Sequence, residues 1–348
     1  MMRTLAINGF GRIGRNVLRA YLQRLATNRP QNFCIVAIND VADAEVLLHL
    51  LKYDSTHGRL NSRFDVAICL KNQQFHIHVN GHSYTIDVLQ QADPKNLDWQ
   101  GLGVDIVLES TGHFRRYDDA HQHIHAGAKQ VIIGSAPFDK VDASIVIGVN
   151  EQQLSCDKAI ISGVSCTTQA LVPLLAVLDR AFGVKTAMLT EIHAVTADQN
   201  VLDQVHRDLR RARASGFNII PTTSSSIGAV ERVLPSMQGK INGHSIRVPT
   251  LDVASIDVTL VFDKPTDING INQVLKQASE QAFFGIMGYS DEPLVSSDFV
   301  HEPYSLIIDS LQTMSVGNGD HQQFKVFAWY DNEWGYANRM LDMCQKLS

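Results

Sequence analysis

The sequence predicts an α/β protein: a Rossmann-type doubly wound parallel sheet, followed by an α+β catalytic domain with a largely antiparallel sheet. Three observations carry that prediction. The early part of the chain alternates near-continuous apolar strands with amphipathic helical stretches. A glycine-rich turn, Gly9-Phe10-Gly11-Arg12-Ile13-Gly14, stands between the first strand and the first helix. Beyond about residue 165 alternating strand-like stretches predominate, with only a few helical patterns between them.

The elements follow in order. Residues 4–7 are a short apolar strand, and the helix after the turn places Ile13, Val17, Ala20 and Tyr21 on one face. Residues 33–38 are a second strand, apolar enough to be covered on both faces. Strands at 104–108 and 131–133 flank a helix at 117–126. After Ser165-Cys166-Thr167-Thr168 comes a helix over 170–182, then strands at 187–195, 243–248, 255–262, 305–308 and 324–329. Helical patterns at 228–234 and 269–282 interrupt them, and 333–347 reads as a final helix returning to the first domain. The predicted division is therefore 1–165, completed by 333–348, for a nucleotide-binding domain, and 166–332 for a catalytic domain.

Composition narrows the function. Of 348 residues, 45% are hydrophobic and 19% charged, which excludes wholesale disorder. The net charge of −6 argues against nucleic acid or anionic membrane as a partner. No apolar run has the length of a membrane span, and the first residues lack the apolar core of a secretory signal, so a cytoplasmic protein is expected. The five cysteines contain no C-x-x-C pair, so neither a disulfide framework nor a metal site is expected.

Two local arrangements carry chemistry. The turn residues Gly9, Gly11, Arg12, Ile13 and Gly14 lie between a strand and a helix, where backbone approaches a pyrophosphate closely and the helix N-terminus favours negative charge. Asp40, at the end of the next strand, is placed to accept from an adenosine ribose and to repel a 2′-phosphate, which predicts NAD rather than NADP. Cys166 opens an apolar helix, where the dipole favours a thiolate, and a nucleophile or a buried structural cysteine both fit that position. His193, within a strand, is the candidate base.

The motifs A-I-N-G-F-G-R-I-G-R from Ala6, K-Y-D-S-T-H-G from Lys52, Ser165-Cys166-Thr167-Thr168 and W-Y-D-N-E-W-G from Trp329 resemble the glyceraldehyde-3-phosphate dehydrogenase superfamily, in register over essentially the whole chain. That resemblance implies Cys166 as the nucleophile forming a thiohemiacetal, and His193 as general base and oxyanion partner. It implies Asn332 at the nicotinamide carboxamide, and Thr111 and Ser135 on cofactor-facing strand ends. Thr196 and Arg247 fall at a substrate-phosphate site, and Ser165, Thr167, Ser224 and Ser225 at a second anion site. A homotetramer is implied, with the loop carrying Arg207, Arg210, Arg211 and Arg213 salt-bridged to a neighbouring subunit.

Stretches at 42–44, 49–54, 142–146, 208–213 and 337–342 look more like erythrose-4-phosphate dehydrogenase. The expected reaction is therefore oxidation of D-erythrose 4-phosphate to 4-phosphoerythronate by water attack, a step of pyridoxine biosynthesis. A phosphorylating glyceraldehyde-3-phosphate dehydrogenase is the alternative, and a non-catalytic dinucleotide-binding protein a more distant one. Several positions depart from the family pattern: Gln169 for Asn, Ala170 for Cys, Gly163 for Asn, Ser224-Ser225 for Thr-Gly, and Glu191 for Thr. Glu191 is expected to partner a neighbouring arginine. His121, His123 and His125 are expected on a solvated helix face.

Overall fold

The computed structural model describes residues 2–347; Met1 and Ser348, the outer limits of the expected segments, lie outside the described residues. The chain divides into two units. One comprises the chain up to Ile145, Glu151–Val164 and the chain from Ala337 onward; the other comprises Val146–Asn150 and Ser165–Tyr336.

The first unit begins with β1 (Arg3–Asn8), α1 (Arg12–Ala26), β2 (Phe33–Asn39) and α2 (Ala44–Lys52). A meander of β3 (Val66–Lys71), β4 (Gln74–Val79) and β5 (His82–Leu89) follows. Then come β6 (Ile106–Glu109), α3 (Tyr117–His125), β7 (Gln130–Ile133), the short β8 (Ala143–Ser144) and β9 (Ile160–Ser162). All join one sheet in the order β8-β9-β7-β6-β1-β2-β5-β4-β3. From β8 to β5 the pairs are parallel, and only the meander is antiparallel. Every residue of β6, β7 and β9 is buried, as befits parallel strands covered on both faces. β1 lies between β2 and β6, so the chain leaves it in one direction and later returns on the other side. This is the switch point, and the crevice beyond the carboxyl ends of β1 and β6 is where such sheets take ligands.

The second unit opens with α4 (Cys166–Phe182) and β10 (Val184–His193). It continues through β11 (Ile220–Thr222), α5 (Ser226–Val233), β12 (Ile241–Arg247), β13 (Ala254–Phe262) and α6 (Ile268–Glu280). β14 (Met287–Ser290), β15 (Leu306–Val316) and β16 (Gln323–Tyr330) complete it. The sheet order is β11-β12-β10-β13-β16-β15-β14, antiparallel except at β10/β12 and β14/β15. α4 is apolar almost all round, with Ala170, Leu171, Val172, Leu174, Leu175 and Leu178 all buried. A final helix, α7 (Trp334–Leu347), supplies Asn338 and Asp342 to the first unit, where both accept from the buried Arg24.

Candidate active site

Local chemistry sets Cys166 at the start of α4. Val164, φ 51°, adopts a left-handed conformation that a β-branched residue rarely holds, and this turns the chain into the helix. Ser165 is the N-cap, its hydroxyl accepting the Thr168 N–H at 3.1 Å. The first N–H groups of a helix have no partner within it; Ser165 takes that of Thr168, and that of Thr167 faces the Cys166 sulfur.

His193 ends β10, and its Nε2 lies 3.5 Å from Cys166 Sγ. Its Nδ1 lies 2.7 Å from the carbonyl oxygen of Ala194. A carbonyl only accepts, so Nδ1 carries the hydrogen and Nε2 presents a lone pair to the thiol. Burial pushes the Cys166 thiol up to about 12, with the negative charge of Glu191 adding to it and Arg247 opposing. Burial and then the Arg247 charge push the His193 imidazole down to about 4, with Glu191 acting the other way. The protein alone therefore holds a thiol and a neutral imidazole. The start of a helix favours a thiolate through the dipole, and burial acts against it.

Glu191, two residues earlier on the same strand face, is buried. Among the described residues it forms no ion pair with an arginine; instead the Thr167 hydroxyl donates to its Oε1 at 2.9 Å. The same hydroxyl lies 2.8 Å from the phenol oxygen of Tyr330, whose ring stands edge-on to His193. Arg247 is the in-register neighbour of His193 across the β10/β12 pair, and its Nη1 reaches the Ala194 carbonyl at 3.4 Å. Thr196, three residues beyond His193, donates its N–H to Gln199 Oε1 at 3.2 Å. Ser224 accepts the Ser226 N–H, Ser225 is exposed, and Ser226 rather than Ser225 comes within 3.1 Å of the Ser165 hydroxyl. Asn332 is buried, and among the described residues its Oδ1 has no donor, which fits an acceptor for a carboxamide NH2. Tyr330 and Ser226 have no sequence mark as site residues, because only the folded sheet and α5 bring them here.

In the first unit the glycine turn is tightly built. Gly9 has φ 91°, and a Cβ there would fall 2.5 Å from the Thr111 nitrogen; one on Gly14 would fall 2.2 Å from the Gly9 carbonyl oxygen. At Gly11, which is exposed at the head of α1, a Cβ would meet nothing within 4 Å. That open space above a helix N-terminus is what a pyrophosphate requires. Asp40 accepts the Phe10 N–H at 2.7 Å and the Ala42 N–H at 3.1 Å, so the candidate ribose ligand also clamps the turn. Arg12 turns its guanidinium to Asp54, while Ile13 is half-buried in the first turn of α1. Ser135 follows β7, and its carbonyl accepts from Ser162.

Thr111, just past β6, donates both its N–H and its hydroxyl to Glu109. The buried Glu109 also takes Asn8 Nδ2 at 2.5 Å and lies 3.1 Å from His123 Nε2. Trp99 donates to His123 Nδ1 at 3.1 Å, so Nε2 carries the proton toward Glu109. His123 is thus fully buried, against the expectation of a solvated face, which only the His121/His125 side satisfies. In the arginine loop, Arg211 pairs with Asp198 and Arg213 with Asp203, both within the loop itself. No described helix is long and apolar enough to cross a membrane.

Comparison with known proteins agrees with this geometry. The NAD-binding domain of glyceraldehyde 3-phosphate dehydrogenase matches residues 3–117, and the C-terminal domain of the same enzyme matches residues 165–332. The chain is 46% identical over 345 residues to a glyceraldehyde-3-phosphate dehydrogenase of Priestia megaterium, covering 99% of this chain and 98% of that one. It is 46% identical over 341 residues to the glyceraldehyde-3-phosphate dehydrogenase of Geobacillus stearothermophilus (97% and 96%), and 46% identical over 340 residues to glyceraldehyde-3-phosphate dehydrogenase 1 of Bacillus subtilis (97% and 96%).

These relatives overturn the expectation of an erythrose-4-phosphate dehydrogenase, and the place in pyridoxine biosynthesis falls with it. The structure supplies the physical reason. The stretches that carried the finer resemblance build scaffold: Ala42 supports Asp40, Asp142 accepts the Ile160 N–H, Asp342 pairs with Arg24 and Arg339, and Arg211 and Arg213 pair within their loop. Such contacts carry no information about which aldehyde is oxidised.

Proposed function

This chain belongs to the glyceraldehyde-3-phosphate dehydrogenase family, NAD-dependent oxidoreductases acting on an aldehyde, and from that premise we propose that it oxidises glyceraldehyde 3-phosphate in the presence of inorganic phosphate. The observation that carries the reading is the Cys166 thiol facing the unprotonated Nε2 of His193 at 3.5 Å. As the sulfur attacks the aldehyde carbon, its proton passes to Nε2, and the oxyanion is held by the Cys166 N–H and the newly protonated ring. Nε2 returns that proton to the oxygen, giving a neutral thiohemiacetal on Cys166. As the carbon is oxidised, Nε2 takes the hydroxyl proton, leaving a thioester. Gly9, Gly11, Gly14 and Asp40 would hold NAD, which would supply the hydride acceptor when bound.

Phosphate attack on the thioester then releases an acyl phosphate, and Nε2 reprotonates the leaving sulfur. Arg247 and Thr196 take the substrate phosphate, a cationic donor beside a hydroxyl. The second anion falls to Ser165, Ser224 and Ser225: Ser165 and Ser224 accept backbone N–H groups and keep a hydroxyl hydrogen to donate, whereas Thr167 already donates its own to Glu191. A homotetramer is part of this reading. It is supported by the exposed apolar side chains of Val205, Leu209 and Phe217 on the loop after β10, at 97%, 83% and 89% exposure. The test is steady-state NADH formation from glyceraldehyde 3-phosphate with and without phosphate. Turnover that needs phosphate is expected; sustained turnover in its absence, or none with this aldehyde, refutes the proposal.

A further inference from the structure

We propose that Glu191 is a positioning residue for the Cys166/His193 pair, its buried carboxylate anchoring Thr167 and its charge setting the pH range in which the pair works. The inference rests on the Cys166 chemistry proposed above. Glu191 and His193 share one face of β10, and Thr167 follows Cys166 in the first turn of α4. The Thr167–Glu191 hydrogen bond therefore ties the residue next to the nucleophile to the strand that carries the base.

The direction of the hydrogen bonds is fixed. A carboxylate only accepts, so Thr167 donates to Glu191 and accepts from the Tyr330 hydroxyl, giving a chain from β16 through α4 to β10. Glu191 is 3% exposed, and among the described residues Thr167 is its one side-chain donor. A carboxylate so placed costs stability, and a scaffold role alone is met as well by an uncharged side chain.

The charge has a target. The titratable and charged groups around the pair are Cys166 and Tyr330 on α4 and β16, Arg247 on β12, Glu333 beyond β16, and Glu191 itself. Arg247 favours the deprotonated form of each group it faces, and Glu191 the protonated form. Without the Glu191 charge, Arg247 acts with less opposition. Glu191 therefore moves the working range of the pair to higher pH, with the same sign for thiol and imidazole, because one negative charge raises the proton affinity of both.

The experiment follows the rate of Cys166 alkylation by iodoacetamide against pH, in the full-length protein. Glu191→Gln and Glu191→Thr are expected to move the profile to lower pH by about one unit, the usual effect of one nearby charge, while Glu191→Asp stays near wild type. Thr167→Val, which leaves the charge but cuts the anchor, is expected to slow alkylation with a smaller displacement. Superimposable profiles for wild type and Glu191→Gln overturn the proposal, as does a displacement in Glu191→Asp equal to that in Glu191→Gln. Glu191→Thr carries the same test if Glu191→Gln does not fold. Full aldehyde oxidation by Cys166→Ser strikes the proposed function instead and is read separately.

Discussion

The Nδ1 of His193 lies 2.7 Å from the carbonyl oxygen of Ala194, and this contact decides which ring nitrogen is free to take a proton. A catalytic triad assigns that task to a separate acidic side chain. Here the backbone at the end of β10 performs it, so the tautomer is set by the strand itself. Nε2 is left 3.5 Å from the sulfur with its lone pair available.

Cys166→Ser is accordingly expected to bind NAD like wild type and to lose nearly all aldehyde oxidation, since an unactivated hydroxyl is a far poorer nucleophile. His193→Gln is expected to lower the rate of NADH formation by about 10²–10⁴-fold, the usual worth of a positioned base. Titration of NAD binding and single-turnover NADH formation separate the two effects. A serine variant with a tenth of wild-type activity sinks the nucleophile assignment.

The same burial gives a stability signature. His193 titrates at about 4 in the fold against an ordinary 6.5, so the unfolded chain binds the proton more readily. Its contribution is fully present above pH 6.5 and is lost as the pH falls toward 4. Between pH 7.5 and pH 5 wild type is expected to lose on the order of 2 kcal/mol more than His193→Gln, at about 1.4 kcal/mol per unit. Urea midpoints at the two pH values read this directly. Equal losses in both proteins contradict a buried neutral imidazole.

Much of this architecture is legible in the chain. The run through β1, the glycine turn and α1 reads correctly because a two-sided apolar strand, a Gly-rich turn and a helical stripe each leave a separate mark. The antiparallel meander was missed, although Asn80-Gly81, with φ of 51° and 74°, is a hairpin turn of the favoured kind. The alternating polar residues of β4 and β5 hid strands that are wet on one face. Cys166 and His193 stand out locally. The Tyr330–Thr167–Glu191 chain does not, because it joins residues on three elements that only the folded sheet brings together. Glu109 did leave a signal, a charge in an otherwise apolar strand, and following it leads to the buried His123.

Asp40 has two tasks, and its variants should separate them. Its Oδ2 holds the Phe10 N–H at 2.7 Å, while in the proposed function its charge would face the ribose. Asp40→Asn keeps an acceptor for the turn but removes the charge, so it is expected to relax the preference for NAD over NADP with a modest loss of NAD affinity. Asp40→Ala also releases the turn and is expected to bind both cofactors weakly. Calorimetric titration of each cofactor checks this, and a wild-type protein indifferent to the 2′-phosphate removes the ribose role.

Gly11 and Gly14 make the sharpest contrast available in the nucleotide-binding turn. A Cβ on Gly14 falls 2.2 Å from the Gly9 carbonyl oxygen, a distance that only backbone movement relieves. Gly9 cannot retreat, because its own environment is closed by the Thr111 backbone at 2.5 Å from an added Cβ. Gly14→Ala is therefore expected to destabilise the fold by about 1–3 kcal/mol, the usual cost of overpacking, and to weaken NAD binding as a consequence. At Gly11 an added methyl meets nothing within 4 Å, and the residue is the N-cap of α1 with an extended backbone at φ −70°. Alanine there costs at most a weakened cap, so Gly11→Ala is expected to unfold within a few degrees of wild type. Its methyl occupies the space that a pyrophosphate needs over the helix N-terminus, so NAD affinity is expected to fall at least about tenfold. Thermal melts with and without NAD distinguish the two variants: Gly14→Ala is low in both, whereas Gly11→Ala is normal without the cofactor and fails to gain from it. A Gly11→Ala protein stabilised by NAD as strongly as wild type places the pyrophosphate elsewhere.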